Sequence, residues 1–330
     1  MTKMKTQTQP TPLTALQDRL GLRLPTSEEA LSVDWGKHNN IQVSIKRDDT
    51  MHRIISGNKW RKLQGTLLSA MANHTEHIIS FGGGHSNHLH ALAYCCNTLN
   101  IALTAIVRGN YAQNITATLR DIAHWGANIR YVDKIEYRKR HDEQYLTTLQ
   151  HTYAKAEPAL IVPEGGSNQH ALQGVAGLLS ELQHHYDYIC CPVGSGGTLA
   201  GLAYGLADQT QLTPNGNTEF SPISHANHTK LLGIAMLKGK HHLEEMVQTL
   251  LPDTIATPEI IPQFHAGGFA KRPPWLVEFC HQFSHQTGVA VEPVYSGKLC
   301  YAVKSLIEEG YFPPNSRVLI LHTGGLQGAR

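Results

Sequence analysis

Short apolar runs alternate with longer amphipathic stretches along most of the chain. The apolar runs predict strands at residues 77–81, 101–107, 128–132, 159–162, 187–193, 230–236 and 317–322. The intervening stretches predict helices at residues 88–99, 112–125 and 142–156, near residue 170 and after residue 198. Alternating strands and helices are typical of parallel sheets that carry helices on their faces. We therefore expect an α/β fold.

Glycine clusters follow several of the predicted strands. They lie at residues 82–84, 165–166, 194–197 and 324–325. Because open parallel sheets bind ligands at the carboxyl ends of their strands, these clusters predict one shared cleft. Residues 210–228, by contrast, are polar and show no periodicity, so we expect them to be the least ordered part of the chain.

The composition narrows the classes of function. A length of 330 residues suggests about two domains. The formal net charge of +2 gives no strong field, so neither nucleic acid nor a membrane is an expected partner. No run of about 18 apolar residues occurs, and the first residues lack the apolar core of a signal peptide. We therefore expect no membrane span and no secretion signal.

Cysteine and histidine spacing speaks against a metal site. The six cysteines include two adjacent pairs and show no zinc-binding spacing, which predicts reduced thiols in a cytoplasmic protein. His85, His88 and His90 lie close together, but no cysteine or carboxylate has ligand spacing with them, so we expect no metal. The basic stretch at residues 134–141 is expected to be a solvated helix start rather than a nucleic-acid patch.

The sequence GSGGTLAG at residues 194–201 follows a predicted strand and opens a predicted helix. Glycines let the backbone approach an anion, and a helix N-terminus offers free N–H groups. The anion could belong to a dinucleotide, a mononucleotide or pyridoxal 5′-phosphate (PLP), and a tight turn without a ligand is the alternative. The third glycine is misplaced for a dinucleotide fingerprint, and no Walker GK[ST] is present, so a single phosphate fits better.

Lys59 lies at the start of another predicted helix, directly after Ser56, Gly57 and Asn58. Burial and the neighbouring charges of Arg61 and Lys62 are expected to lower its pKa, and a neutral amine is what a Schiff base requires. The alternative is a solvated basic first turn, since most lysines lie on the surface.

Ser86 and Asn87 lie where the glycine-rich loop after the strand at residues 77–81 meets the next helix. Residues of these types cap helices. The same hydroxyl, amide and N–H groups could instead grip a substrate carboxylate. The sequence leaves both roles open.

Taken in order, these motifs resemble one known family. The segments KRDDTMHRIISGNKWRK (residues 46–62), GGGHSNH, EGGSN, VGSGGTLAGL, EPVYSGK and HTGG are similar to the PLP-dependent 1-aminocyclopropane-1-carboxylate (ACC) deaminases and D-cysteine desulfhydrases. The resemblance runs from about Leu13 to the C-terminus. It implies the tryptophan-synthase-β-like fold of type II, with two open, twisted, mainly parallel sheets flanked by helices.

The resemblance also implies a domain division and an assembly. A large PLP-binding domain would comprise residues 1–62 and 164–330, and a small inserted α/β domain would comprise residues 63–163. The cofactor would lie between the two. The resemblance further implies a homodimer.

The resemblance assigns roles to individual residues. Lys59 would hold the cofactor covalently, and Asn87 would contact the hydroxyl of its ring. The phosphate would be bound by Gly194, Ser195, Gly196, Gly197 and Thr198. Ser86, Asn87 and His88 would face the substrate carboxylate. Tyr295 would stand over the ring as an acid–base or polarising residue, and Thr323 would lie near the pyridine nitrogen. Lys59, Ser86 and Tyr295 are thus the predicted catalytic residues.

Three positions depart from the ACC deaminase pattern. Those enzymes carry Tyr-Glu where this chain has Tyr295 and Ser296, and a hydroxyl partner for the pyridine nitrogen is similar to the desulfhydrase branch. Phe269 falls where the family has a second active-site tyrosine, so the resemblance places Phe269 in the predicted substrate site. His88 stands where the family often has glutamine.

These departures favour β-elimination from a small amino acid. With D-cysteine the products would be pyruvate, sulfide and ammonia. ACC deamination is the first alternative, and a PLP-holding or ligand-sensing protein with little turnover is the second. An NAD-dependent enzyme is disfavoured by the glycine spacing.

Overall fold

The computed structural model describes residues 11–153, 158–211 and 229–329. Residues 212–228, which form most of the segment predicted to be least ordered, lie outside the described residues. The strands in the described part are β1 Glu28–Ala30, β2 Gln42–Lys46, β3 His77–Gly83, β4 Ala102–Arg108, β5 Asn128–Val132, β6 Leu160–Val162, β7 Tyr188–Val193, β8 Lys230–Ala235, β9 Glu259–Ile261 and β10 Arg317–Leu321.

Helices connect most of these strands. They are α1 Pro12–Arg19, α2 Asn58–Ala72, α3 Asn87–Leu99, α4 Ala117–His124, α5 Lys134–Arg138, α6 Glu143–Thr152, α7 Gln169–Ala176, α8 Gly197–Gln211, α9 Lys240–Gln248, α10 Pro274–Thr287 and α11 Ser296–Glu308. The predicted start of α4 at residue 112 was wrong. The helix begins after Thr116, whose side chain accepts a hydrogen bond from the Leu119 N–H and caps the first turn.

The strands form two sheets. The larger sheet has the order β1-β2-β10-β7-β8-β9, and the smaller has the order β5-β4-β3-β6. All pairs are parallel except β1 with β2, which is antiparallel and lies at the edge. The predicted α/β fold with mainly parallel sheets is confirmed. The parallel arrangement brings the carboxyl ends of each sheet's strands, with their glycine clusters, to one edge of that sheet.

The centres of both sheets are buried. Ile189, Ile320 and Leu319 in the larger sheet and Ile78 and Ile79 in the smaller have no exposed surface. Helices cover both faces, which explains why the central strands read as continuous apolar runs. All six cysteine thiols are free and buried in this apolar packing.

The smaller sheet, residues 77–162, falls within the predicted inserted domain. The predicted boundary between residues 62 and 63 falls inside α2, which packs on both α3 and α7. The division into two domains stays a prediction. Among the described residues, no helix is long and apolar enough to cross a membrane.

Candidate active site

The first turn of α2 presents Lys59. Gly57 precedes this helix with a φ of 65°, and the Asn58 amide donates to the Thr198 hydroxyl at 2.7 Å, which ties α2 to the start of α8. Lys59 Nζ donates to the Asn58 side-chain oxygen. Burial lowers the pKa of Lys59 to about 8, and the charge of Glu292 opposes that shift. A substantial fraction of this amine is therefore neutral near physiological pH.

Arg61 does not act on Lys59 as predicted. Its guanidinium donates to Asp48 Oδ1 and Oδ2 at 2.8 and 2.9 Å and to both oxygens of Glu181 at 2.6 and 2.8 Å. Two carboxylates thus neutralise its charge, and of the predicted causes it is burial that lowers the pKa of Lys59. The alternative of a solvated basic turn was also wrong, since Arg61 and Lys62 are 3% and 2% exposed.

Lys62 was missed as a site residue. Its Nζ donates to Ser195 Oγ at 3.2 Å and to Ser167 Oγ at 3.3 Å, and those hydroxyls lie 2.9 Å apart. Among the described residues, no carboxylate lies within 4.0 Å of this ammonium. Burial and the charge of Lys59 hold the pKa of Lys62 well below its usual value. A bound anion would stabilise the charged form of this buried amine.

The glycine-rich loop between β7 and α8 surrounds this cation. Gly196 has a φ of 77°, which favours glycine. A Cβ on Gly197 would lie 2.5 Å from Ser167 Oγ, and one on Gly194 would lie 3.3 Å from the Tyr295 ring. The loop backbone is therefore approached by Ser167 and by Tyr295. Together with the N-terminus of α8 and Lys62, it forms an electropositive cradle for one phosphate.

The start of α3 lies beside the last glycine cluster. Ser86 Oγ accepts the Leu89 N–H at 3.2 Å, so the predicted helix cap is present. Asn87 Oδ1 is buried and has no hydrogen-bond partner among the described residues. A Cβ on Gly325 would lie 2.9 Å from Asn87 Nδ2, so this amide faces the loop after β10. The unsatisfied amide oxygen marks a place for a ligand group.

The His88 side chain turns away from the helix start towards β3. Its Nε2 lies 2.8 Å from Ser80 Oγ, which itself donates to the Val162 carbonyl at 2.7 Å. Because the Ser80 proton is used, His88 Nε2 is the donor and the Nδ1 lone pair is free of partners in the described structure. Burial first, and then the charges of Lys62 and Lys59, hold the pKa of His88 well below 6.5. The ring is neutral.

Tyr295 lies between the phosphate loop and Phe269. The rings of Phe269 and Tyr295 meet edge to face with centroids 5.9 Å apart. Burial and the charge of Glu292 raise the pKa of Tyr295, so its hydroxyl is protonated at neutral pH. Phe269, which was predicted to line the substrate site, remains 52% exposed.

Glu292 is a second site residue that sequence reasoning missed. It is 2% exposed, and its carboxylate accepts the N–H groups of Val294, Tyr295 and Ser296 at 2.6, 2.8 and 2.9 Å. The Ser296 hydroxyl accepts the Glu292 N–H at 2.9 Å. Glu292 therefore fixes the turn that presents Tyr295, and it also contacts the Ser296 hydroxyl, which was predicted to face the pyridine nitrogen.

Thr323 is 4% exposed and lies at the end of β10. A Cβ on Gly57 would lie 1.9 Å from the Thr323 carbonyl oxygen, so the turn before Lys59 packs directly on this residue. The structure thus brings together Lys59, Asn87, Tyr295, Thr323 and the loop at residues 194–198. The missed residues lie in or beside the motifs, since Lys62 is one helical turn after Lys59, Ser167 lies in EGGSN and Glu292 starts EPVYSGK, but their residue types alone assign them no role.

The chain is similar to proteins of known class. Residues 10–324 match the family described as "Pyridoxal-phosphate dependent enzyme". The chain belongs to this family. It is 27% identical over 314 residues to the mitochondrial bifunctional D-cysteine desulfhydrase/1-aminocyclopropane-1-carboxylate deaminase of Arabidopsis thaliana, covering 89% of this chain and 74% of that protein. It is 29% identical to a putative 1-aminocyclopropane-1-carboxylate deaminase of Thermotoga maritima, covering 87% and 90% of the two chains.

The fold agrees with solved structures of this class. A crystal structure of an ACC deaminase homologue superposes with a TM-score of 0.75 at 24% identity and covers 97% of this chain and 96% of that one. The predicted resemblance, the type II fold, the PLP cofactor and the assignment as an enzyme are confirmed. The roles of individual residues stay predictions.

The residues present fit PLP. The cofactor carries an aldehyde, one phosphate and a ring hydroxyl, and the site offers a matching group for each. Lys59 provides an amine with a lowered pKa, and Lys62 provides a cation within the glycine-rich cradle. Asn87 offers an amide with an unsatisfied buried oxygen. Among the described residues, no cluster of three histidine, cysteine, aspartate or glutamate side chains could hold a metal ion.

Gly57→Ala is expected to destabilise the protein by more than about 3 kcal/mol, because the new Cβ would overlap the Thr323 carbonyl and φ is positive. Gly126→Ala is the matched control. Gly126 has a φ of 80° but no heavy atom within 4 Å of the added Cβ, so only about 1–2 kcal/mol is expected. Urea unfolding of both variants measures the difference. Equal losses would show that the packing on Thr323 is not tight.

Proposed function

We propose that this PLP enzyme catalyses β-elimination from a small amino acid, with D-cysteine as the favoured substrate. D-Cysteine and water would yield pyruvate, hydrogen sulfide and ammonia. The observation that carries the proposal is the Lys59 amine, whose pKa of about 8 suits a base working near neutral pH. Lys59 lies beside a cradle that fits the cofactor's phosphate.

Each residue of the site has a proposed role in this reaction. Bound PLP supplies an electron-withdrawing system conjugated to the substrate's Cα. Ser86 and the backbone N–H groups at the start of α3 would hold the substrate carboxylate, because a helix N-terminus favours an anion. The neutral Lys59 amine would take the α-proton. The Tyr295 hydroxyl, protonated because its pKa is raised, would donate a proton to the departing sulfur.

Asn87 would orient the cofactor ring through its side-chain amide. Lys62 and the loop at residues 194–198 would fix the phosphate end and so define the ring's position along the cleft. Holding the reacting atoms in one geometry is the main contribution a rigid site of this kind makes.

ACC deamination is the second candidate, because relatives carry that name. ACC has no α-hydrogen, so opening its ring needs a nucleophile or a base for the β-carbon. Ser296 occupies the position of the glutamate of ACC deaminases, and its hydroxyl is bonded to Glu292. Phe269 offers no hydroxyl next to Tyr295. Both features favour D-cysteine over ACC.

We further propose a cytoplasmic homodimer. The resemblance to ACC deaminases and D-cysteine desulfhydrases supports the dimer. The six free, buried thiols support a reducing compartment.

A substrate panel tests the proposed function. The holoenzyme is assayed with D-cysteine, L-cysteine, D-serine, L-serine and ACC for release of 2-oxo acid, with sulfide measured for the two cysteines. We expect kcat/KM for D-cysteine to exceed that for ACC by at least about tenfold, a difference of about 1.4 kcal/mol in transition-state stabilisation. Faster turnover of ACC would overturn the preference. Bound cofactor without any 2-oxo acid would favour a sensing protein.

A further inference from the structure

A buried lysine lies one helical turn beyond Tyr295. Lys298 in α11 has no exposed surface, and its Nζ donates to the Gly268 carbonyl at 2.9 Å across 30 residues of sequence. Among the described residues, no carboxylate lies within 4.0 Å of this amine. Burying a lysine without an ion pair costs stability. Because the Lys298–Gly268 contact has this cost, we look for its role outside the stability of α11.

The loop that Lys298 contacts has an unusual backbone. Four of the five residues from 266 to 270 have positive φ: Ala266 at 53°, Gly267 at 92°, Gly268 at 125° and Ala270 at 57°. Alanine in this region costs about 1–2 kcal/mol. The Gly268 carbonyl also accepts the Lys271 N–H at 3.2 Å, which closes the loop locally. Lys298 supplies the hydrogen bond that ties the strained loop to the helix carrying the active-site turn.

The loop places Phe269 beside the reacting groups. Its ring meets Tyr295 edge to face at 5.9 Å, and Tyr295 in turn lies against Gly194 of the phosphate loop. Phe269 keeps about half of its surface exposed, so part of this side chain is accessible to a ligand. Both contacts of the loop, through Phe269 and through Gly268, thus lead to α11 or the turn before it.

We propose that Lys298 is a positioning residue that holds Phe269 against Tyr295, so that the Phe269 ring forms an apolar wall of the amino-acid site. Such a wall selects substrates with a short, uncharged side chain, since a charged group facing the ring would lose hydration without a partner. This inference rests on the proposed function for its substrate but not for its geometry. Burial lowers the pKa of Lys298 to about 8, and either protonation state can donate to Gly268.

Hydrogen exchange of the holoenzyme tests the geometry without any substrate. In Lys298→Met, which removes the donor but keeps the length of the side chain, the amides of residues 265–271 should exchange at least about tenfold faster. Lys304→Met is the matched control, because Lys304 lies on the same helix and its ion pair within the described structure is with Glu308 near the surface. Its exchange in this loop should match the wild type. Unchanged exchange in Lys298→Met would overturn the proposal.

A double-mutant cycle tests the positioning role. Phe269→Ala and Lys298→Met should each raise KM for D-cysteine by about 5–20-fold with kcat within about threefold, and the double variant should be no worse than either alone. Additive effects would show that Lys298 does not act through Phe269. If Lys298→Met does not fold, Lys298→Leu, which also lacks a donor but has a shorter side chain, is carried through both measurements with the same criteria. If no amino acid is turned over, the proposed function fails while hydrogen exchange still decides the role of Lys298.

Discussion

Lys59→Ala is expected to abolish turnover, lowering kcat/KM for the best substrate by at least about 10³-fold. The reason is that, in the proposed mechanism, one amine serves both to anchor the cofactor and to take the α-proton. Its position is set by Gly57 and by the Asn58–Thr198 hydrogen bond, neither of which the substitution removes. The fold should therefore survive, and Lys304→Met, far along α11, serves as the control that keeps full activity.

Covalent attachment gives this prediction a readout besides activity. Borohydride reduction followed by mass spectrometry of peptides should add the mass of reduced PLP to the peptide that contains Lys59 in the wild type. Lys59→Ala should show no such addition. Attachment at another lysine in the wild type would contradict the assignment, whatever the activity.

The same lysine predicts a pH dependence. Only the neutral amine adds to an aldehyde, and burial lowers the pKa of Lys59 to about 8. The rate at which the apoprotein captures PLP should therefore rise with pH, about tenfold per unit below pH 8, and level off above it. A rise that continues to about pH 10.5 would indicate an ordinary, solvated lysine.

Much of the fold could be predicted from the apolar runs, because the central strands are buried on both faces. Apolar runs such as those of β4 and β7, with helices on either side in the sequence, predict buried strands of a parallel sheet. The edge strands β1 and β9 of the larger sheet were missed, and so was β2, whereas the edge strands β5 and β6 of the smaller sheet were predicted from their apolar residues. Glu28–Ala30 and Glu259–Ile261 have three residues each, and their extended state comes from pairing with β2 and β8. Pairing across the sheet leaves no local signature in so short a segment.

The residues of the candidate site also include some that were predicted from the sequence and some that were missed. The loop at residues 194–198 was predicted because glycine clusters at strand ends mark a cleft whatever the distant contacts are. The roles of Lys59 and Asn87 were predicted from the resemblance to a known family. Lys62 and Glu292 were missed because their roles depend on partners that only the folded chain supplies. Ser195 lies 133 residues after Lys62 in the sequence, and nothing local distinguishes this lysine from a solvated one. Glu292 is recognised only by the three N–H groups that it accepts.

The second large effect is expected from substitution of Lys62, because the environment of this lysine disfavours its charged form until an anion is bound. The ammonium is buried between Ser195 and Ser167, and its pKa is held well below the usual value, so the folded apoprotein disfavours the charge. Folding therefore favours loss of the proton from this lysine, and the apoprotein gains stability as pH rises from the lowered folded-state pKa towards the unfolded pKa of about 10.4. A bound phosphate would reverse the sign by stabilising the charged form.

Lys62→Met should therefore have opposite effects on the two forms. The apoprotein should unfold at a higher temperature, because a buried amine without an ion pair is replaced by an apolar chain of similar length. Affinity for PLP should fall by roughly 30-fold or more, since a buried charge pair typically contributes about 2–5 kcal/mol when one partner is removed. Equilibrium titration of apoprotein with PLP and thermal unfolding of both forms measure the two effects.

Lys134→Met is the control for removing one positive charge. Lys134 is exposed at the start of α5, so the affinity of the Lys134→Met variant for PLP and its unfolding temperature should both match those of the wild type. A loss of apoprotein stability in Lys62→Met would mean that the lysine acts as packing for the loops around Ser167 and Ser195. Unchanged affinity would mean that the phosphate is held by the glycine-rich backbone and the α8 terminus alone. Only the combination of a more stable apoprotein and a weaker holoenzyme identifies Lys62 as the counter-charge of the cofactor.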